Sequence, residues 1–306
     1  MTGGRQGLSP AHLRRYLSAC GKAPFSWRHP AAHHLFSDRL SLFLSETRSA
    51  GEVLMGETAD GVLFLPVPPP PLLRPEPGLP ERGRLLGALF REMAAKNPGR
   101  PSPFLENCPM GALASGPFRI EPSEREYLVS APHLLDPRGE AGRQTRWERN
   151  RFLRDHPAAG VRPVGPEEAP ALRPFVAEFV RMKMGAEPGS LQELLALDMG
   201  QAFERALLLG AGREIEGWVL EERGRILGLQ WYGRWEGEET LVCFLEARKP
   251  GVSNLGGLMT RLVLEAAGSG IRWVNLMGGG GLGEVERAKR LRPHHLVLPL
   301  FRVFPD

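Results

Sequence analysis

A chain of 306 residues with 42% hydrophobic and 24% charged content is long enough for two cores of about 150 residues each and too apolar to stay unfolded. Its three cysteines are far apart and odd in number, which argues against a disulfide framework and a zinc knuckle; no apolar run approaches the roughly 18 residues that span a bilayer. The net charge of +4 is matched by one segment, residues 138–154, which holds six arginines against two glutamates.

The N-terminal stretch MTGGRQGLSPAHLRRYL lacks the apolar core of a signal peptide. With the cysteine pattern, this leads to the expectation of a cytoplasmic protein whose only membrane contact is peripheral.

In the first half, residues 33–44 carry a helical pattern, and residues 53–55 and 61–67 read as a hairpin. Residues 66–80 are proline-dense and predict a loop or extended spacer, because proline lacks the N–H that a helix interior or central strand needs. A helix is expected over 79–96, where Leu86, Leu89, Phe90 and Met93 stand at helical spacing. Residues 118–120 and 127–129 read as strands, and the arginine-rich segment as a helix linking two halves.

In the second half, a short strand at 161–164 precedes an amphipathic helix over 166–184, in which Leu172, Phe175, Val176, Phe179 and Val180 form one face. A second helix starts at Ser190. Strands are expected at 216–222, 226–235 and 240–247, a helix led by Ser253 as N-cap, a strand at 271–276, a helix at 282–291 and a strand at 295–303. The resulting order, β-α-α-β-β-β-α-β-α-β, resembles that of the GNAT acyltransferase fold.

A more specific likeness lies at the junction. Glu126-Tyr127, a basic segment, and then Asn150-Arg151-Phe152 with Pro157 resemble the bacterial domain family related to the C-terminal domain of phosphatidylglycerol lysyltransferase, in which a strand reading E-Y leads to N-R-F-x-x-x-x-P. The likeness extends to Phe64-Leu65-Pro66, to Phe244 with Glu246-Ala247, and to Asn275 with Gly281 and Lys289. It implies an α/β (α+β) chain of two tandem GNAT-like domains, each a mixed, largely antiparallel sheet flanked by helices, as in the Fem-type transferases that take an amino acid from aminoacyl-tRNA. The expected division is a degenerate N-terminal domain at 1–137, a basic linking helix at 138–158 and a domain carrying the transfer site at 159–306. Three departures stand out: glycines at 278–281 replace acidic residues, Glu286 replaces an arginine, and the integral-membrane half of the lysyltransferases is not in this sequence, which counts against a lipid acceptor.

Candidate site residues follow from the strand ends and the helix start. In GNAT enzymes the donor's pyrophosphate rests on unpaired amides at the start of the third helix, where the helix dipole favours anions. The matching stretch here contains R-x-x-G-x-S, which makes Arg248, Lys249, Gly251, Ser253, Gly256 and Gly257 candidate donor-binding residues; the alternative is an ordinary glycine turn into a capped helix. Glu246, ending the fourth strand, is the candidate general base, or else a partner of Arg248 or Lys249. Asn275, ending the fifth, either binds a donor carbonyl or caps the glycine turn. Lys289 falls on the apolar face of the next helix and either meets a donor anion or snorkels outward. Arg143, Arg146, Arg149, Arg151 and Arg154 form either a phosphate track for tRNA or a solvated helix face.

His294 and His295 are adjacent in a strand and point to opposite faces, and no cluster has metal-ligand spacing, so no metal is expected. No G-x-S-x-G elbow or P-loop occurs. No cofactor is expected to be tightly bound; the donor, aminoacyl-tRNA or acyl-CoA, is a co-substrate. The resulting expectation is transfer of an aminoacyl or acyl group to an amine or hydroxyl on a small molecule, peptide or lipid headgroup. The competing expectation is a non-catalytic GNAT-like scaffold that binds nucleic acid or a protein partner.

Overall fold

The computed structural model describes residues 6–7, 9–20, 26–36, 41–73, 78–109, 116–140, 142–184, 188–209, 215–234, 239–252, 255–268, 270–278, 282–290 and 295–306. It divides into two compact units, Met1–Glu126 with Leu298–Asp306, and Tyr127–Val297.

The first unit begins with β1 (Gln6–Gly7), α1 (Pro10–Ala19) and α2 (Pro30–Phe36), followed by β2 (Ser41–Thr47), β3 (Gly51–Glu57) and β4 (Leu63–Leu65). Next come α3 (Pro70–Leu73), α4 (Leu79–Lys96), β5 (Phe104–Pro109) and β6 (Phe118–Ser130), which crosses into the second unit after Glu126. The second unit continues with α5 (Ala131–Leu135), α6 (Arg143–Asp155), β7 (Ala159–Pro163), α7 (Ala169–Lys183) and α8 (Leu191–Leu209). The strands β8 (Glu216–Glu222), β9 (Arg225–Gly233) and β10 (Thr240–Arg248) precede α9 (Leu255–Ala267), β11 (Trp273–Asn275), α10 (Gly283–Arg290) and β12 (His295–Pro305).

Strands run in the order β1-β2-β3-β4-β5-β12-β6 in the first unit and β6-β11-β10-β9-β8-β7 in the second. The described strand pairings are antiparallel except one per unit, β4 with β5 and β10 with β11. A parallel pair needs a crossover, and helices supply it both times. In the first unit Leu86, Leu89, Phe90 and Met93 of α4 pack with Val53, Met55, Leu65 and Leu105 of the sheet. In the second, Leu255, Leu258, Met259 and Val263 of α9 pack with Leu227, Leu241, Cys243 and Val274.

Several predicted elements are redrawn by tertiary pairing. The helix expected over 33–44 ends at Phe36, and Ser41–Thr47 is a strand, because Phe43 and Leu44 pair with Met55 and Leu54 of β3. The proline-dense connection contains one helical turn, α3, whose leading prolines occupy positions where a missing N–H costs nothing. Two short strands at 118–120 and 127–129 are one strand of 13 residues. β5 has no strong alternation in sequence, and Asn107 within it has φ 50°.

The unit boundaries also differ from the expected 1–137, 138–158 and 159–306. The basic helix α6 is part of the second unit, whose core includes Phe152, and residues 298–306 belong with the first unit, where Leu300, Phe301 and Val303 pair with β5. Among the described residues no helix is long and apolar enough to cross a membrane.

Candidate functional site

The geometry of interest begins where β10 and β11 part. Their parallel ladder covers only Thr240–Val242 against Trp273–Asn275, whereas β10 continues to Arg248. Beyond Asn275 the chain stays with β6: the Leu276 amide donates to the Tyr127 carbonyl at 2.8 Å and the Tyr127 amide to the Met277 carbonyl at 3.3 Å. A bulge between Cys243 and Leu245 adds a residue to β10 relative to β9, bending the strand at the same level.

Past this splay, Glu246 projects from β10 toward the first turn of α9. Gly256 leaves room for it, since a Cβ there would collide with the Glu246 carboxylate. Gln230 of β9 lies directly across the ladder from Glu246 and is fully buried, so both ends of its amide need partners. Its Nε2 donates to Glu246 Oε2 at 2.8 Å and to the Gly256 carbonyl at 3.2 Å, and its Oε1 accepts from the Tyr232 hydroxyl at 2.5 Å. Thr260, also buried, donates back to the Gly256 carbonyl at 2.8 Å and lies 3.0 Å from the Tyr232 hydroxyl.

Burial, and then the neighbouring Cys243, push the Tyr232 phenol well above its ordinary value, so it stays protonated and remains a donor. That fixes which way Gln230 points and keeps an N–H on Glu246. The half-buried carboxylate is held from below by a polar network.

The remaining predicted residues divide sharply. Arg248 ends β10 opposite Gly228, and the Lys249 amide donates to the Leu227 carbonyl at 2.9 Å. Gly251 takes φ 80°, a conformation that favours glycine, in the turn before α9, and Gly257 lies in the first turn of α9. Ser253 lies outside the described residues, as do Gly279 to Gly281 and His294.

Asn275 is fully buried, and its Oδ1 accepts from the Met277 amide at 2.7 Å, fixing a turn in which Met277 has φ 57°. Lys289 reaches back to the same turn. Its Nζ donates to the Leu276 carbonyl at 2.7 Å, the Met277 carbonyl at 3.3 Å and the Gly278 carbonyl. Three ammonium donors on three carbonyls make a clamp on the backbone leaving β11.

The arginines of α6 are arranged on a helix whose only buried side chain is Phe152. Arg146 is engaged by the carbonyls of Pro137 and of Gly139, at 3.0 Å in the latter case. Arg149 donates to Asn150 Oδ1 at 3.2 Å. Arg143 pairs with Glu140 at 3.2 Å, while Arg151 and Arg154 pair with Asp155 at 3.7 and 3.4 Å. Exposed pairs of this kind hold their charges loosely and leave them available to a polyanion.

Gln230, Tyr232 and Thr260 were not among the predicted site residues. Their signal was polar side chains inside apolar elements: glutamine in the strand run Leu229-Gln230-Trp231, tyrosine two residues on along the same face, and threonine one helical turn after Gly256.

No protein-family model matches the sequence, and no curated protein matches it. The fold is similar to that of solved structures. A conserved protein of unknown function from Bacteroides thetaiotaomicron aligns at 14% identity with a TM-score of 0.73, covering 99% of each chain. The C-terminal domain of a putative lysylphosphatidylglycerol synthetase from Agrobacterium fabrum aligns at 14% identity and TM-score 0.60, covering 97% of this chain and 93% of that one. A tandem GNAT protein from the clavulanic acid biosynthesis pathway aligns at 14% identity and TM-score 0.50, covering 99% and 90%. The mixed α+β architecture is thus GNAT-like along nearly the whole chain, in agreement with the resemblance drawn from Asn150-Arg151-Phe152.

Proposed function

We propose that the chain is an acyltransferase that moves an aminoacyl group from aminoacyl-tRNA to an amine, with a hydroxyl as the less favoured acceptor. The observation that carries this reading is Glu246, a carboxylate held by Gln230 at the splay of β10 from β11, above the first turn of α9. In the proposed step the acceptor amine attacks the ester carbonyl, the new C–N bond forms, and the bond to the tRNA ribose oxygen breaks. Glu246 takes a proton from the amine, and the departing ribose oxygen gains one. General-base catalysis of this kind is worth about 10²–10⁴-fold.

Glu246 also bears on the donor. Its carboxylate lies over Gly256, where the pyrophosphate of a CoA thioester would approach the helix start, and like charges at close range repel. The exposed arginines of α6 offer a tRNA backbone the opposite charge. The fold similarity to a domain of a putative lysylphosphatidylglycerol synthetase supports the acyl-transfer part of this reading.

The test is a thermal-shift titration against charged tRNA and acetyl-CoA at low and moderate salt, followed by transfer of a radiolabelled aminoacyl group to amine acceptors. A ligand at 100 times its dissociation constant adds about 2.7 kcal/mol of stability. The expected result is stabilisation by charged tRNA that fades with salt, with acid-stable product formed by wild type and not by Glu246→Gln. Stabilisation by acetyl-CoA that persists in salt would replace this donor with a thioester, and a shift by neither would favour the non-catalytic scaffold.

A further inference from the structure

On α6, Trp147, Arg151 and Asp155 stand one helical turn apart on a face turned toward Gly251 and Val252, the turn that leads into α9. Together with Glu148, Phe152 and His156 they line a cleft of about 100 Å³ that opens to solvent. Trp147 is 54% exposed, unusual for the largest apolar side chain, and the Arg151 guanidinium lies 5.5 Å from its ring centroid. The back of the pocket is packed and hydrogen-bonded. Phe152 is buried, its ring 4.6 Å from that of His156, and His156 Nδ1 lies 2.8 Å from Glu222 Oε2. Across the pocket, Gly251 has open space where a side chain would stand, so its backbone is approachable.

The lining selects among ligand chemistries. A phosphate fits poorly, because Glu148 and Asp155 both face the space. A free ammonium fits poorly too, because the Arg151 guanidinium, 5.5 Å from the Trp147 ring centroid, already places a positive charge beside the ring and repels a second one. An uncharged planar ring with an exocyclic amino group satisfies both constraints: it stacks on Trp147 and gives its N–H to a carboxylate, while the outer arginines meet the phosphates on either side.

We propose that this pocket stacks the terminal adenosine of the tRNA donor, a site that rests on the tRNA reading above and places the esterified 3′ end beside the helix start that Glu246 overlies. Every tRNA ends in an unpaired adenosine, so the site recognises the donor class and not its anticodon. Stacking of one base on an aromatic side chain is worth roughly a 5- to 150-fold change in affinity.

The experiment measures binding of uncharged, fluorescently labelled tRNA to the full chain by anisotropy, using tRNA with an intact CCA end and tRNA lacking those three nucleotides. Variants are Trp147→Ala and Trp147→Phe, with melting temperatures as the folding control. The expected result is that wild type prefers the intact end, that Trp147→Ala removes the preference while binding truncated tRNA as before, and that Trp147→Phe restores most of it. Equal preference for the intact end in wild type and Trp147→Ala overturns this site and leaves the tRNA reading standing. An equal loss on both tRNAs also overturns it, making Trp147 part of a backbone track. Failure of wild type to bind either tRNA overturns the donor reading and this site with it.

Discussion

The two crossovers, β4–α4–β5 in the first unit and β10–α9–β11 in the second, use the same device to different ends. In each, a parallel strand pair is joined through a helix packed on the sheet, and a glycine, Gly56 on the neighbouring β3 or Gly256 in α9 itself, makes room for a side chain of the first strand of the pair. At Gly56 the visitor is the Phe64 ring, which stacks on Phe104 with centroids 5.3 Å apart and planes 13° apart. At Gly256 it is the Glu246 carboxylate, tied to Gln230. One space is closed by apolar packing and the other holds a carboxylate. A shared frame carries no chemistry by itself, and on the function proposed above it is the residue filling the glycine's space that separates scaffold from site.

Removing the two fillers should give the largest and most opposed effects. Glu246→Gln keeps shape and loses the base, so transfer should fall about 10²–10⁴-fold while the melting temperature barely changes, as read by initial rates beside a thermal scan. Phe64→Ala should do the reverse, costing about 3–5 kcal/mol in denaturant unfolding. A stability loss in Glu246→Gln as large as that in Phe64→Ala would make Glu246 a structural residue and end the distinction.

Next come the glycines themselves. Gly56→Ala drives a methyl into a stacked ring that has nowhere to go, at a cost of about 1–3 kcal/mol. Gly256→Ala meets the far end of the Glu246 side chain and not a packed ring, so the cost should be about that of the one hydrogen bond lost to Gln230, about 1 kcal/mol, while the displaced carboxylate lowers the transfer rate. Chemical denaturation and rate measurements on the pair separate the two kinds of space.

Lys289→Met addresses the other half of the site. Because its ammonium serves the carbonyls of Leu276, Met277 and Gly278, the variant should lose about 1–3 kcal/mol of stability from unsatisfied backbone acceptors. Weakened donor binding at unchanged stability would instead make Lys289 a donor-binding residue.

What could be read from sequence follows the range of the forces involved. The helix at 79–96, the hairpin of β3 with β4, and the order of elements from 159 onward are written in local hydrophobic period, and the structure has them there. Pairing between distant segments leaves no local trace, which is why residues 41–44 of β2 read as the end of a helix and Phe104–Pro109 as nothing in particular. Of the candidate site, Glu246 was visible as a carboxylate at a strand end. Gln230 was not, because its meaning depends on lying across a ladder from Glu246, 16 residues away. Lys289 was visible on an apolar helix face, but its carbonyl partners are set by the path of the chain after Asn275.

The smallest expected effect tests the deepest part of the network. Tyr232→Phe removes the donor to Gln230 Oε1 and should cost about 1 kcal/mol near neutral pH, the net worth of one hydrogen bond. The pH dependence gives this a second reading. Burial raises the phenol's pKa in the folded chain, whereas in the unfolded chain it titrates near 10. The tyrosine's contribution is therefore fully present below pH ~10, and above it the unfolded state sheds a proton that the folded state keeps, so the contribution is lost as pH rises toward the folded value. Wild type should lead the phenylalanine variant in melting temperature at neutral pH and lose that lead above about pH 10. A lead that holds unchanged into the alkaline range would mean that the hydroxyl reaches water, and that the support beneath Glu246 is not the dry network that keeps Gln230 pointed at it.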